Sequence, residues 1–218
     1  MELTTIDRAR AYGLDIGLLR SCMLRSAEER LSMACGNASD IARVRRRPGD
    51  FVALLDRLVA SEARFVLVGS MAAAAHGSAY IPNDMDICYD TAVENVRSLT
   101  SALMPINPRP ADGSDWDFSF NDESVAANHP LLPLRTVEGD LDLFACVDGV
   151  GGYGECLAAS ERIPWKNSHV RALVPEALIV SLENRLELAM LGPLLALQAI
   201  IRLMIEGPAL RGYTMHVL

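Results

Sequence analysis

A short segment in the first half of the chain constrains the fold more than any other part. Residues 65–68 form an apolar run that predicts a buried strand, and the Gly69-Ser70 pair after it predicts a turn. The alanine-rich residues 71–75 predict a helix, and the alternation of polar and apolar residues over 84–89 predicts a second strand. Two short strands joined through a helix need a sheet with helices packed against it, so the core is predicted to mix α and β structure.

Two aspartates on the second strand are the first candidates for chemistry. Asp84 and Asp86 are two positions apart, and alternate residues of a strand project from the same face. Two carboxylates so close together repel each other unless a cation lies between them. Hard oxygen ligands suit Mg²⁺, and Mn²⁺ accepts the same ligands. The pair therefore predicts a metal site, and a solvated strand edge is the alternative.

The Gly69-Ser70 turn lies close enough in sequence to complete such a site. It opens a helix, and the free amides at the start of a helix attract phosphate. Gly69 lets another group approach the backbone closely, and the Ser70 hydroxyl can donate a hydrogen bond to a phosphate oxygen. Plain turn chemistry is the alternative explanation for the same two residues.

A third carboxylate is needed if two metal ions are to hold both the attacking and the leaving oxygens of a transfer reaction. The segment GDLDLF at residues 139–144 predicts another strand and offers two candidates, Asp140 and Asp142. Both project from the same face of that strand, so the spacing alone does not choose between them. Asp142 stands between two leucines, as a strand interior would, whereas Asp140 follows a glycine and could belong to the preceding turn.

The chain around these motifs divides into three regions. Residues 1–48 predict an N-terminal helical region, residues 49–174 the mixed core and residues 175–218 a C-terminal helical region. In the first of these, Ser26 and Glu29 match a capping box. The predicted fold class is therefore α+β, with a mixed β-sheet core flanked by N-terminal and C-terminal helices.

An arginine run closes the N-terminal region, with Arg43, Arg45, Arg46 and Arg47. Such a cluster can bind an RNA backbone, since contacts to phosphate rely on Arg and Lys. A helix C-terminus also favours cations through its dipole, which is the alternative explanation. The net charge of −8 argues against a broad nucleic-acid-binding surface.

Composition predicts a cytoplasmic protein that does not cross a membrane. The start of the chain lacks the apolar stretch of a secretory signal. The most apolar stretch, residues 189–205, is interrupted by Gly192, Pro193 and Arg202, so a buried helix is favoured over a membrane span. Its scarcity of charge also suggests helix pairing between subunits of a homo-oligomer.

The five cysteines form no CxxC pair, which fits reduced and buried thiols, and four isolated histidines disfavour a zinc site.

Taken together, the motifs resemble a known family. The Gly-Ser turn, the Asp84-Met85-Asp86 motif about fifteen residues later and the GDLDLF strand resemble the nucleotidyltransferase superfamily with the DNA polymerase β-type fold. The HG pair followed by the DMDICYD strand, and the segment GDLDLFACVDGVGGYGECL, are similar to the AbiEii/MenT-type nucleotidyltransferase toxins. The similarity covers roughly residues 50–185.

The resemblance implies an enzyme that needs Mg²⁺ and moves a nucleoside monophosphate group from an NTP to an acceptor. It implies that Asp84, Asp86 and Asp142 hold the metal and that Gly69 and Ser70 bind the phosphates. It also implies a toxin–antitoxin setting, in which the 3′ end of tRNA is one acceptor and a cognate antitoxin is a partner.

One part of the family pattern is missing from this chain. The family usually carries a lysine on the helix after the last strand and an aspartate further along. Here position 182 is leucine, no lysine follows Lys166, and no aspartate follows Asp148. Arg185 on the neighbouring turn of that helix, and Lys166 in a predicted hairpin turn, are the remaining candidates for the triphosphate. A binding or regulatory module with weakened catalysis is therefore one alternative, and modification of a protein or small molecule is another.

Overall fold

The computed structural model describes residues 4–45, 47, 49–113, 130–184 and 191–205. The helices in these ranges are α1 (Thr5–Ala11), α2 (Ile16–Met23), α3 (Ala27–Val44), α4 (Phe51–Ala60), α5 (Gly69–Ala75), α6 (Val93–Leu103), α7 (Tyr153–Ala158), α8 (Pro175–Asn184) and α9 (Leu191–Ile205). The strands are β1 (Phe65–Leu67), β2 (Met85–Tyr89), β3 (Arg109–Pro110), β4 (Leu131–Thr136), β5 (Gly139–Phe144), β6 (Cys146–Val147), β7 (Gly151–Gly152), β8 (Ser160–Trp165) and β9 (Ser168–Leu173). The sequence also predicts a strand over residues 116–120, which lie outside the described residues.

Seven of these strands form one mixed sheet in the order β3-β4-β5-β2-β1-β9-β8. β2 runs parallel to β5 and β1 runs parallel to β9, whereas the other neighbours in the sheet are antiparallel. β6 and β7 pair with each other in a separate ladder. The predicted α+β class with a mixed sheet is therefore confirmed.

The strands in the middle of the sheet are the most apolar because helices cover them. Every residue of β1 is buried, and Met85, Ile87 and Leu141 on the neighbouring strands are fully buried. Strands enclosed in this way have continuous apolar runs rather than strict alternation. β2 begins one residue later than the sequence predicts, since Asp84 lies in the bend before it.

α3 begins at the predicted capping box and packs on the core. The Ser26 side chain accepts a hydrogen bond from the Glu29 amide at 3.2 Å, and the Glu29 carboxylate accepts one from the Ser26 amide at 2.7 Å, which confirms that prediction. Leu31, Cys35 and Ala38 of this helix belong to the same hydrophobic cluster as the sheet. The N-terminal region is thus partly integrated into the core.

A second, smaller hydrophobic cluster joins the N-terminal helices to the last described helix. Ala9 of α1 and Ile16 and Leu19 of α2 pack with Ala199 and Leu203 of α9. The predicted N-terminal and C-terminal helical regions therefore contact each other. No helix among the described residues has both the length and the apolarity that a bilayer crossing requires.

The cysteines are all free thiols. Cys35, Cys88 and Cys156 are buried, as the sequence predicts for reduced structural cysteines, whereas Cys146 is exposed. Burial also raises the pKa of the Cys35 thiol to about 12, so this thiol is protonated and unreactive near neutral pH.

Candidate metal and nucleotide site

Strand register brings two of the predicted carboxylates side by side. β2 and β5 are parallel neighbours, and Asp86 lies directly opposite Asp142 in their register. Asp84 precedes Asp86 by two residues and joins them from the bend before β2. One carboxylate oxygen from each of Asp84, Asp86 and Asp142 lies within 4.8 Å of the others. We refer to these three residues as the acidic cluster.

The choice between Asp140 and Asp142 is made by the packing around β5. The acidic cluster contains Asp142, whereas Asp140 forms an ion pair with Arg47, 3.8 Å from its Nη1 atom. Asp140 also lies opposite Arg135 on the neighbouring strand β4. The structure thus places Asp142 among the potential ligands and pairs Asp140 with Arg47.

Gly69 is required by the position of Asp86. Its φ angle is +56°, in the left-handed region, and a Cβ atom there would lie 2.1 Å from Asp86 Oδ2. The Val68 amide also donates to the Asp86 carbonyl at 3.0 Å, which ties the turn to the centre of the acidic motif. The sequence predicts a close approach at Gly69, and the group that makes it is the carboxylate of Asp86.

The hydroxyl of Ser70 has an unusual environment. Its oxygen is buried, and it has no hydrogen-bond partner among the described residues. A buried polar group without a partner costs about 1–3 kcal/mol, so such a group is retained where a ligand or water satisfies it. Ser70 lies in the same cavity wall as the acidic cluster.

The acidic cluster lies in the wall of a cavity of about 390 Å³. A volume of this size is within the range of small-molecule sites, roughly 300–1,000 Å³. Apart from the acidic cluster and Ser70, most of the described lining of this cavity is apolar. The polar exceptions are Asn83 and Ser181. The other lining residues are Val68, Gly69, Ala73, Tyr80, Ile81, Leu131, Phe144, Val147, Leu173, Leu178, Leu182, Pro193 and Leu197. A ligand here would place one end on the carboxylates and the rest against hydrocarbon.

Burial and a neighbouring charge both act on Asp84. Burial raises the pKa of this carboxyl above its ordinary value, and the negative charge of Asp140 raises it further. A divalent cation would offset both effects, because it supplies the opposite charge where water is partly excluded. Three carboxylate oxygens at this separation are the hard donors that Mg²⁺ and Mn²⁺ prefer, so the residues present fit such an ion.

The arginine run is split between two environments. Arg43 pairs with Asp40 on its own helix at 2.8 Å. Arg45 instead donates to the Asn83 side chain at 2.8 Å, one residue before the acidic motif, and Arg47 pairs with Asp140. Arg46 lies outside the described residues. Two arginines of the run therefore approach the acidic cluster, and their predicted contact with RNA stays a prediction.

The two candidates for triphosphate binding have different outcomes. Lys166 lies in the β8–β9 hairpin turn, as the sequence predicts, and has a φ angle of +51°. Its ammonium group forms an ion pair with Asp56 and lies 5.6 Å from the centre of the Trp165 ring. It is not among the described residues that line the cavity. Arg185 lies outside the described residues.

Several cavity residues carry no clear signal in the sequence. Tyr80 and Ile81 lie on the loop before β2, and Pro193 and Leu197 lie on α9, more than a hundred residues further along the chain. Only the packing of α9 brings these two segments together. Gly192 shows how close they are, because a Cβ atom there would lie 2.2 Å from the Tyr80 hydroxyl oxygen.

Neither the comparison with protein-family models nor that with curated protein sequences finds a match for this chain. The acidic cluster and its cavity are therefore the features of this chain that bear on its function.

Proposed function

We propose that this protein is a nucleotidyltransferase that uses Mg²⁺ or Mn²⁺ held by Asp84, Asp86 and Asp142. The observation that carries the proposal is the convergence of these carboxylates in the wall of a ligand-sized cavity that Ser70 also lines. The Ser70 hydroxyl has no hydrogen-bond partner among the described residues. Carboxylates that share one site without a cation would repel one another. The resemblance of the motifs to the nucleotidyltransferase superfamily supports the same reaction class.

In the proposed reaction an acceptor hydroxyl attacks the α-phosphorus of an NTP. A new oxygen–phosphorus bond forms, and the bond from that phosphorus to the bridging oxygen of the β-phosphate breaks. Pyrophosphate leaves with the electron pair of the broken bond, and the hydroxyl proton passes to a carboxylate of the acidic cluster. The products are the nucleotidylated acceptor and pyrophosphate.

The residues of the chain have distinct parts in this reaction. Bound metal would polarise the phosphoryl oxygens and lower the pKa of the attacking hydroxyl. Gly69 leaves room for Asp86, which keeps the carboxylates together before the substrate arrives. The Ser70 hydroxyl would donate a hydrogen bond to a phosphate oxygen. The apolar wall would cover the less polar part of the nucleotide and exclude water.

The acceptor is proposed from the resemblance and from charge. The similarity to toxins of toxin–antitoxin systems makes the 3′ end of tRNA the first acceptor to test, with a cognate antitoxin as partner. A protein or small-molecule acceptor is the competing proposal, because the net charge of −8 does not favour extended RNA contacts.

A specific observation favours a second candidate function, nucleotide binding with weakened catalysis. The resemblance puts the family's usual lysine near Leu182, and Leu182 lines the cavity. An apolar residue there cannot neutralise a triphosphate. A protein of this kind would bind metal and nucleotide and would act through the bound state.

The test is incubation of the purified protein with each α-³²P-labelled NTP, Mg²⁺ or Mn²⁺, and total tRNA. Asp86→Asn and Asp142→Asn remove the ligand charges with almost no change of shape. Asp40→Asn, at an exposed position of α3, is the control. Labelled tRNA with wild type and Asp40→Asn, but not with the two site variants, is expected. Label on protein alone would favour the competing acceptor. Nucleotide binding without any product would favour the second function, and transfer by Asp86→Asn at the wild-type rate would refute the mechanism.

A further inference from the structure

We propose that Arg45 and Arg47 bind the phosphates of the nucleotide substrate and so supply the positive charge that position 182 lacks. This inference rests on the proposed nucleotidyltransferase function. It assigns the two arginines to the triphosphate and the departing pyrophosphate rather than to an RNA backbone.

The two arginines adjoin the acidic cluster through a shared wall. A small cleft of about 90 Å³ is lined by Ile41, Ala42, Arg45, Arg47, Phe51, Asn83, Asp84 and Asp140. Asn83 and Asp84 also line the large cavity. A phosphate that reaches metal at Asp84 through this cleft would therefore meet the two arginines that line it.

The charge of the large cavity calls for such groups. Its described lining contains the acidic cluster and neither lysine nor arginine. A triphosphate is strongly anionic, and metal ions that first compensate the carboxylates leave part of its charge unbalanced. Arginine binds phosphate through two parallel N–H donors, so it suits this requirement better than a single polar side chain.

The present contacts of the two arginines are weak enough to be exchanged. Among the described residues, the side-chain partner of Arg45 is the neutral amide oxygen of Asn83. Arg47 is 3.8 Å from Asp140, and the side chain of Arg47 is 62 % exposed. Exposed ion pairs at such distances contribute little, so a phosphate can replace these contacts at small cost.

The backbone around the arginines is nevertheless held in place. The Arg45 amide donates to the Ile41 carbonyl at 3.0 Å and the Arg47 amide to the Ala42 carbonyl at 2.9 Å. Further along the chain, the Asp50 amide donates to the Glu138 carbonyl at 2.8 Å. These hydrogen bonds at residues 45, 47 and 50 reduce the entropy that is lost when a phosphate binds.

The test compares Arg45→Gln/Arg47→Gln with Arg10→Gln/Arg97→Gln, which removes the same charge from exposed positions on α1 and α6. Calorimetry in saturating Mn²⁺ measures three ligands: the α,β-methylene analogues of the NTPs, the corresponding nucleosides, and single-stranded RNA. A Mn²⁺ titration of each variant verifies that the acidic cluster is intact.

We expect the site variant to bind the triphosphate analogue about 10- to 100-fold more weakly, and to bind Mn²⁺ and nucleoside as wild type does. The control variant should bind all ligands normally. Unchanged analogue affinity in the site variant would overturn this inference alone. Loss of RNA affinity with unchanged analogue affinity would overturn it too, and would assign the arginines to the acceptor. Wild-type protein that binds neither Mn²⁺ nor analogue would remove the proposed function and this inference together.

Discussion

The carboxylate of Asp86 occupies the space that a side chain at Gly69 would fill, with only 2.1 Å between Oδ2 and the position of a Cβ atom. Separations below about 3.0 Å are not tolerated by real Cβ atoms, so one of the two groups must move if this glycine is replaced. The Gly69-Ser70 turn and the Asp84-Met85-Asp86 motif are therefore a single structural unit.

Gly69→Ala should disrupt that unit. The new methyl group displaces Asp86, and the positive φ angle adds about 1 kcal/mol of backbone strain. We expect Mn²⁺ affinity to fall by at least about tenfold and the melting temperature to fall by about 2–4 °C. Calorimetry and thermal unfolding measure the two effects. Gly36→Ala is the control, because a Cβ atom at this position of α3 would have open space around it. Equal Mn²⁺ affinity in the two variants would show that Gly69 and Asp86 do not act as one structural unit.

Asp142→Asn and Asp140→Asn test which carboxylate of β5 binds metal. Asp142 faces Asp86 across parallel strands, whereas Asp140 is paired with Arg47. Asp142→Asn should weaken Mn²⁺ binding by about 10- to 100-fold, in the range found when a ligand or its support is lost. Asp140→Asn should keep Mn²⁺ affinity within about threefold. The reverse order in a Mn²⁺ titration would move the third ligand to Asp140.

Asp84→Asn should stabilise the metal-free protein at neutral pH. Burial and Asp140 raise the pKa of Asp84, so its folded carboxyl holds a proton more readily than the unfolded one. The stability that the protonated Asp84 carboxyl contributes is therefore fully present at pH values below its ordinary pKa of 3.8. This stability is lost as the pH rises through the pKa of Asp84 in the folded protein. Because water still reaches this half-buried carboxyl, we expect Asp84→Asn to raise the free energy of unfolding by only about 1 kcal/mol at pH 7.

The measurement for Asp84→Asn is chemical unfolding with chelator across pH 3 to 8, with Asp40→Asn as an exposed control. The extra stability of Asp84→Asn over wild type should decrease toward low pH. In a separate measurement without chelator, Mg²⁺ should stabilise wild type more than the variant. A metal-free variant that is less stable than wild type at pH 7 would show that Asp84 serves the fold rather than a ligand.

Ser70→Ala should raise stability and lower affinity for nucleotide. The buried hydroxyl has no partner among the described residues, so its removal should add about 1 kcal/mol to the free energy of unfolding. The same change should weaken binding of a triphosphate analogue by about five- to tenfold, because one hydrogen bond to phosphate is lost. Ser98→Ala is the control, because the Ser98 hydroxyl already donates a hydrogen bond to the Glu94 carbonyl within α6. A loss of stability without a change in affinity would assign Ser70 to the core.

Local patterns in the sequence predicted the parts of the site that are local. The turn at Gly69, the strand after it and the capping box of α3 are encoded within a few residues each, and the structure contains all three. The hairpin turn at Lys166 is likewise a short-range feature. The ion pair between Lys166 and Asp56 is not a short-range feature, because Asp56 lies on α4, far away in sequence.

The pairings across the sheet could not be predicted in this way. Asp140 and Asp142 have the same local periodicity, and only the register of β5 against β2 separates them. The position of Arg45 beside Asn83 and the apolar wall from α9 also depend on packing between distant segments. The sequence therefore indicated which residue types could act, and tertiary contacts decided which of them meet.

The packing of α9 against α1 and α2 has a consequence for synthesis of the protein. During translation the strands that carry the acidic cluster leave the ribosome well before α9, and contacts between segments so far apart in the chain form slowly. Pro193 and Leu197 close the cavity only when α9 has docked. A nascent chain can thus bring its carboxylates together while the cavity is still open, before α9 packs against it.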